Sequence, residues 1–170
     1  VLTRPTCTKI VDMESDVSIE SCEPTHGVTI LDPAAGVIYL VPSTTGTDGR
    51  PAYMSTDALL MKRAVADGVG VEYALPADER EFVDHFSAGI EVIGLTVAIV
   101  NLVPSTIQGI HALIQLIAIR RGYTGDSAKQ AKVKLKIDYI KTASLEARGI
   151  KVEGDADGVV EALKALSSGS

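Results

Sequence analysis

Short apolar runs of strand length, separated by turn residues, fill the front of the chain. Gly27 to Leu31 (GVTIL) and Gly36 to Val41 (GVIYLV) are rich in β-branched side chains, which suit a pleated strand. Asp32-Pro33-Ala34-Ala35-Gly36 lies between them with Pro and Gly where a turn uses them, so a β-hairpin is predicted. Ser43 to Pro51 is nine residues without a hydrophobic side chain and predicts a mobile surface loop. Ser55 or Thr56 then caps a helix carrying Leu59, Leu60, Ala64 and Val65 that stops at Asp67-Gly68. Val69 to Leu75 follows as a strand, and Pro76-Ala77-Asp78-Glu79 begins a second helix, with acidic residues in its first turn.

That second helix is expected to run into the most unusual stretch of the sequence. From Val92 to Ile119 there are 28 positions without an acidic or basic side chain, counting His111 as neutral. A bilayer core needs roughly 20 apolar helical residues, so the length criterion for a membrane element is met. Small and polar residues recur every three or four positions from just before the run and along it: Glu91, Gly94, Ala98, Asn101, Ser105, Gln108, Ala112 and Gln115. On a helix this spacing draws one slowly drifting stripe, which in lipid favours close approach and hydrogen bonding between copies. The stripe is therefore the predicted seam of a homo-oligomer, or the lining of a wet path. Phe82 and Phe86 precede the run and Arg120, Arg121 and Tyr123 follow it, as membrane-interface residues would. Pro104 kinks the segment or marks a hairpin; arms 86–103 and 105–119 would reach about 27 and 23 Å. The alternative is that the same two helices form the buried centre of a soluble oligomer.

Beyond Arg120-Arg121-Gly122 lies a polar linker, then a strand in which Val133, Leu135, Ile137 and Tyr139 alternate with Lys132, Lys134, Lys136 and Asp138. Gly149 to Glu153 supplies another strand, and Asp155 to Leu166 a helix with Val159, Val160, Leu163 and Leu166 on one face. The fold class is α+β in three stretches: an acidic α+β unit over 1–76, an apolar helical segment over 77–121, and a β-β-α unit over 122–170.

Charge changes the picture more than composition does. The chain of 170 residues has net charge −6, with 46% hydrophobic and 22% charged residues, which excludes disorder and disfavours a nucleic-acid groove. Residues 1–85 carry six basic and fourteen acidic side chains, 86–119 carry Glu91 alone, and 120–170 carry ten basic and seven acidic. Basic residues after the uncharged run place the C-terminal unit on the cytoplasmic side if the run enters a membrane; otherwise the chain is expected to be soluble in the cytoplasm. The chain opens at Val1, and Lys9, Asp12, Glu14, Asp16 and Glu20 interrupt any export signal within the first thirty residues.

Candidate chemistry is sparse. Cys7, Cys22 and His26 lack the second ligand pair that structural zinc needs; the cysteines read as free thiols in a reducing compartment and as a disulfide in an oxidising one. Asp84 and His85 are adjacent and would not face each other on a helix, and His111 reads as a buried hydrogen-bonded residue ahead of a pH sensor. Ser43 to Gly49 lacks the Lys of a P-loop. The basic strand face Lys132, Lys134, Lys136 and Lys141 reads as solvated, with anionic lipid head groups as a second reading. No catalytic residue, metal site or cofactor is predicted. The expected partners are a second copy of the chain, membrane lipid and other protein components, with no nucleic acid.

The order of an acidic α+β front, an uncharged run closing with Arg120-Arg121, the strand Val133 to Ile140 and the tail Gly149-Ile150-Lys151-Val152-Glu153-Gly154-Asp155 followed by Val159-Val160-Glu161-Ala162-Leu163 resembles the effector-associated constant components of bacterial conflict systems. The resemblance covers the layout of residues 86–166. It implies a non-enzymatic accessory in a defence or signalling system, acting at a membrane, and brings no catalytic residue with it.

Overall fold

The computed structural model of the chain describes residues 8–12, 17–23, 30, 32–84, 93–142 and 145–168. In chain order it has strands β1 (Thr8–Asp12), β2 (Ser18–Ser21), β3 (Ile38–Leu40), β4 (Thr44–Thr45) and β5 (Pro51–Met54), then helix α1 (Ser55–Ala66). Strands β6 (Val71–Tyr73), β7 (Phe82–Val83) and β8 (Ile93–Val100) lead to helices α2 (Pro104–Arg120) and α3 (Asp126–Lys129). Strands β9 (Lys132–Lys141), β10 (Glu146–Ala147) and β11 (Ile150–Asp155) precede the last helix, α4 (Ala156–Ser167). The mixed α+β class is as expected.

Among the described residues one sheet of eight strands runs β1-β2-β11-β9-β8-β3-β6, with β10 paired to β9. It takes strands from the front, middle and tail of the chain alike. Helix α2 links the parallel neighbours β8 and β9, and α1 links the parallel pair β3 and β6. A small sheet, β4-β5-β7, lies beside it. Leu95, Val97 and Ile99 of β8, Val133, Leu135 and Ile137 of β9, and Val152 of β11 share one core with Ile107, Ile110 and Ile114 of α2 and Val159 and Leu163 of α4. Each such fully buried side chain contributes about 1.5–3 kcal/mol. On the other face of the sheet Tyr39, Val41, Ala74 and Ala98 form a smaller cluster.

The uncharged run is divided differently from the expectation. Its described part is not a pair of helices but a strand, β8, and a helix of 17 residues, α2. The physical reason lies in Ile93, Thr96, Val97, Ile99 and Val100: β-branched residues favour the strand, and a strand buried on both faces reads as an unbroken apolar run. Asn101 takes a left-handed φ of 62° that ends the strand. Pro104 sits in the first turn of α2, where its missing N–H costs nothing, so it starts a helix instead of kinking one. No helix among the described residues is long and apolar enough to cross a membrane.

Three other expectations change. The helix predicted from Pro76 is a single 3-10 turn, Ala77–Glu79, followed by β7. Arg80 turns the chain back there, donating from Nε to the Leu75 carbonyl at 2.8 Å with its guanidinium 4.3 Å from the Tyr73 ring centre. The loop 43–51 is ordered into the β4–β5 hairpin. Glu81 holds it by accepting from the Thr47 N–H at 2.9 Å and its hydroxyl at 2.6 Å, and these two bonds keep its carboxyl below the usual carboxylate range. Within β9, Val97 pairs with Ile137 but Ala98 with Tyr139, which makes Asp138 the extra residue of a β-bulge. The bulge breaks the alternation, so Ile140 is buried in the main core and Tyr139, predicted inward, packs on the opposite face. Of the predicted hairpin strand 27–31, all but Ile30 lies outside the described residues.

Two glycines tie β11 and the segment before it to the front of the chain. Gly149, at φ +97°, lies so close to Cys22 that a Cβ would collide with the Cys22 carbonyl oxygen. Its own carbonyl accepts from the Cys22 N–H at 3.0 Å. Gly154 gives the same kind of close approach to Val17.

Candidate functional site

The face of β9 that points away from the helices carries Lys132, Lys134 and Lys136, because alternate residues of a strand face opposite ways and Val133, Leu135 and Ile137 are committed to the core. These lysines line a cavity of about 710 Å³. The parallel register places Gly94 of β8 beside Lys134 and Thr96 beside Lys136. Gly94 has no side chain and a Cβ there would meet nothing within 4 Å, so the floor of the cavity is open at that point. On the other side the antiparallel register sets Glu153 of β11 opposite Lys134, and Ser18 of β2 opposite Glu153. Arg121 closes one end, from the C-terminus of α2, while Ser43 and Met54 come from the front of the chain. The volume falls in the range of small-molecule sites, roughly 300–1,000 Å³.

The electrostatics are graded across the strands. Lys151 Nζ lies 3.2 Å from Glu20 Oε2 and 3.5 Å from Glu153 Oε1. Burial acts to lower the Lys151 pKa, yet the hydrogen bond to Glu20 and the charge of Glu153 outweigh it and hold the ammonium above its usual value. Glu153 Oε1 also reaches Lys134 Nζ, at 3.9 Å. Lys134 is half exposed, 53%, so this longer pair is screened by water and worth at most about 1 kcal/mol. The lysine ammonium groups are available to a stronger anion.

The residues singled out in the sequence are dispersed by this fold. Gly94 lines the cavity and Ala98 is buried in the small cluster farther along the same face. Asn101 is exposed at the joint between β8 and α2. Ser105, Gln108, Ala112 and Gln115 lie on α2, with Ser105, Gln108 and Gln115 exposed and Ala112 half-buried, so the stripe is split over two elements and is not one helix face. Glu91 lies outside the described residues. Of the expected interface residues, Phe82 stacks on Tyr53 with ring centres 5.7 Å apart, Arg120 donates to the Thr56 carbonyl at 3.0 Å, Tyr123 packs against the main core, and Arg121 reaches the cavity. Phe86 lies outside the described residues, as do His85, Cys7 and His26. Cys22 is disulfide-bonded, which withholds its sulfur from a metal; Asp84 is exposed and His111 half-buried on α2.

The basic face of β9 was legible in the sequence, but its partners were not. Glu153 and Ser18 reach it through the pairing of distant strands, and Ser43 and Met54 line it from the front of the chain. One local signal pointed there: Gly94, a glycine inside a β-branched run, marks a place where a strand leaves room for something else. No family model, curated protein or solved structure matches the chain.

Proposed function

We propose that this chain is a non-catalytic binding module whose site is the lysine-lined cavity and whose ligand is an anion. One observation carries the reading: in a chain of net charge −6, the described residues that line the cavity include Lys132, Lys134, Lys136 and Arg121 against one carboxylate, that of Glu153. A cleft lined by one sign of charge concentrates ligands of the other sign. The open floor at Gly94 and the hydroxyls of Ser18, Ser43 and Thr96 supply shape and hydrogen bonds.

The test is an amide-shift titration of the labelled chain at low ionic strength with inorganic phosphate and with citrate. Shifts confined to 94–96 and 132–136, lost on raising the salt and in the variant Lys134→Ser/Lys136→Ser, are the expected result. Gly94→Phe, at a position where an added Cβ meets nothing within 4 Å, is expected to leave the urea midpoint close to that of the wild type and to block the response by filling the floor. Unchanged amides along both strands with both anions overturn the reading.

Self-association is a second reading, favoured by large apolar side chains left on neighbouring helices. Ile119 of α2 is 64% exposed and Leu59 of α1 55% exposed, and Ser105, Gln108, Ala112 and Gln115 lie on α2 with Ile119. Sedimentation of the wild type as an oligomer that Ile119→Lys dissolves is its expected signature; a monomer at every concentration removes it. Either role suits an accessory component of a defence or signalling system, the part that the resemblance to effector-associated constant components implies.

A further inference from the structure

We infer that the anion is the phosphate of a polyhydroxylated ester, a sugar or polyol phosphate, and that Glu153 is the residue that receives its hydroxyl groups. The inference rests on the anion-binding reading and asks why an anion site should contain a carboxylate. Neutralising Lys151 does not require Glu153, because Glu20 already holds that ammonium at the shorter distance, 3.2 Å. Beyond its ion pairs with Lys151 and Lys134, Glu153 would repel a bare anion in the cavity. Both of its ion pairs run through Oε1, at 3.5 Å to Lys151 and 3.9 Å to Lys134, which leaves Oε2 to accept from a neutral donor. A carboxylate accepts readily from hydroxyls and not from an unprotonated phosphate oxygen.

The neighbours of Glu153 extend the same chemistry. The register sets Ser18 on one side of it and Lys134 on the other, with Gly94 beyond Lys134. Neighbouring strands lie about 4.8 Å apart, so a phosphate held over β9 has its carbon skeleton over β11 within a single sugar's reach. Thr96 and Ser43 offer further hydroxyls on the β8 side. Among the described residues the cavity lining includes no aromatic ring to stack on a flat ligand. Cations on one strand, a carboxylate and a hydroxyl on the next two, and an open floor make a site for a charged head joined to a polyol body.

That chemistry has two sources, a free sugar phosphate or the inositol phosphate head group of a lipid. Calorimetric titration compares inorganic phosphate, glucose phosphate and glucose. Glucose phosphate is expected to bind about tenfold more tightly than inorganic phosphate, the equivalent of one hydrogen bond to a charged acceptor. Glu153→Gln should remove that advantage without weakening inorganic phosphate, whereas Lys134→Ser should weaken both. Equal affinity of the wild type for the two phosphates overturns the inference and leaves the anion site standing; failure of both to bind overturns the anion reading itself. Retention on phosphatidylcholine vesicles doped with phosphatidylinositol phosphate, reversed by free inositol phosphate, assigns the lipid source. Equal retention on phosphatidylserine vesicles reduces the site to bare charge and also overturns the inference.

Discussion

Tyr53 joins the small sheet to the large one. Its hydroxyl donates to the Leu40 carbonyl at 2.7 Å and accepts from the Leu75 N–H at 3.3 Å, while its ring meets Tyr73 edge-on at 4.9 Å. Burial is the chief cause that pushes its phenol from the ordinary 10.0 up to about 12, against the lowering effect of backbone hydrogen bonds. The folded state therefore favours the neutral phenol. The stability this supplies is complete below the unfolded value of 10.0 and is lost as pH climbs through about 12, because the unfolded chain ionises first. Tyr53→Phe removes the hydroxyl from two backbone groups and should cost about 1–3 kcal/mol at neutral pH. Urea midpoints measured from neutral to strongly alkaline solution should show the gap between wild type and variant closing over that window. A gap that is constant with pH would mean that the hydroxyl ionises as freely in the fold as outside it.

At the scale of elements, β9 shows how one residue reverses an alternating pattern. Val133, Leu135 and Ile137 follow the period of two, and the face they predict is the face that is buried. After the bulge at Asp138 the pattern moves by one, so Ile140 enters the core while the Tyr139 hydroxyl donates to Glu146 Oε1 at 3.0 Å on the other face. Ile140→Ala should cost about 2–5 kcal/mol, as large-to-small changes in a core do, and Tyr139→Ala distinctly less. Denaturant midpoints of the two variants decide it, and the reverse order would restore the unbroken alternation. Helix α4 was the easier element to read. Its apolar positions Val159, Val160, Leu163 and Leu166 are buried as spaced, and the Asp155 side chain accepts from the Gly158 N–H at 2.6 Å to cap it.

For the whole molecule, the front of the chain is bound to the tail through β2. That strand pairs with β11, and the residue after it, Cys22, lies against Gly149 and is disulfide-bonded. Reducing the protein should lower its unfolding free energy by about 2–4 kcal/mol, measured as a shift of the urea transition that a Cys22→Ala variant no longer shows on adding reductant. The same long-range pairing builds the candidate site: Lys134, Glu153 and Gly94 lie far apart in sequence and are brought side by side by strand register.

The sequence by itself determined the local elements whose pattern and boundary chemistry agree: α1 with its stop at Asp67-Gly68, α4 with its apolar face, and the strands β3, β6, β9 and β11. It also determined that β9 has a basic face. Tertiary structure decided the rest. A short apolar run has no period that separates a doubly buried strand from a helix, so Ile93–Val100 took its conformation from the neighbours β3 and β9, which supply its hydrogen-bond partners. Spacing along the chain likewise carries no information about which strands become neighbours. The cavity and the side chains that meet in it therefore exist only once the sheet is assembled.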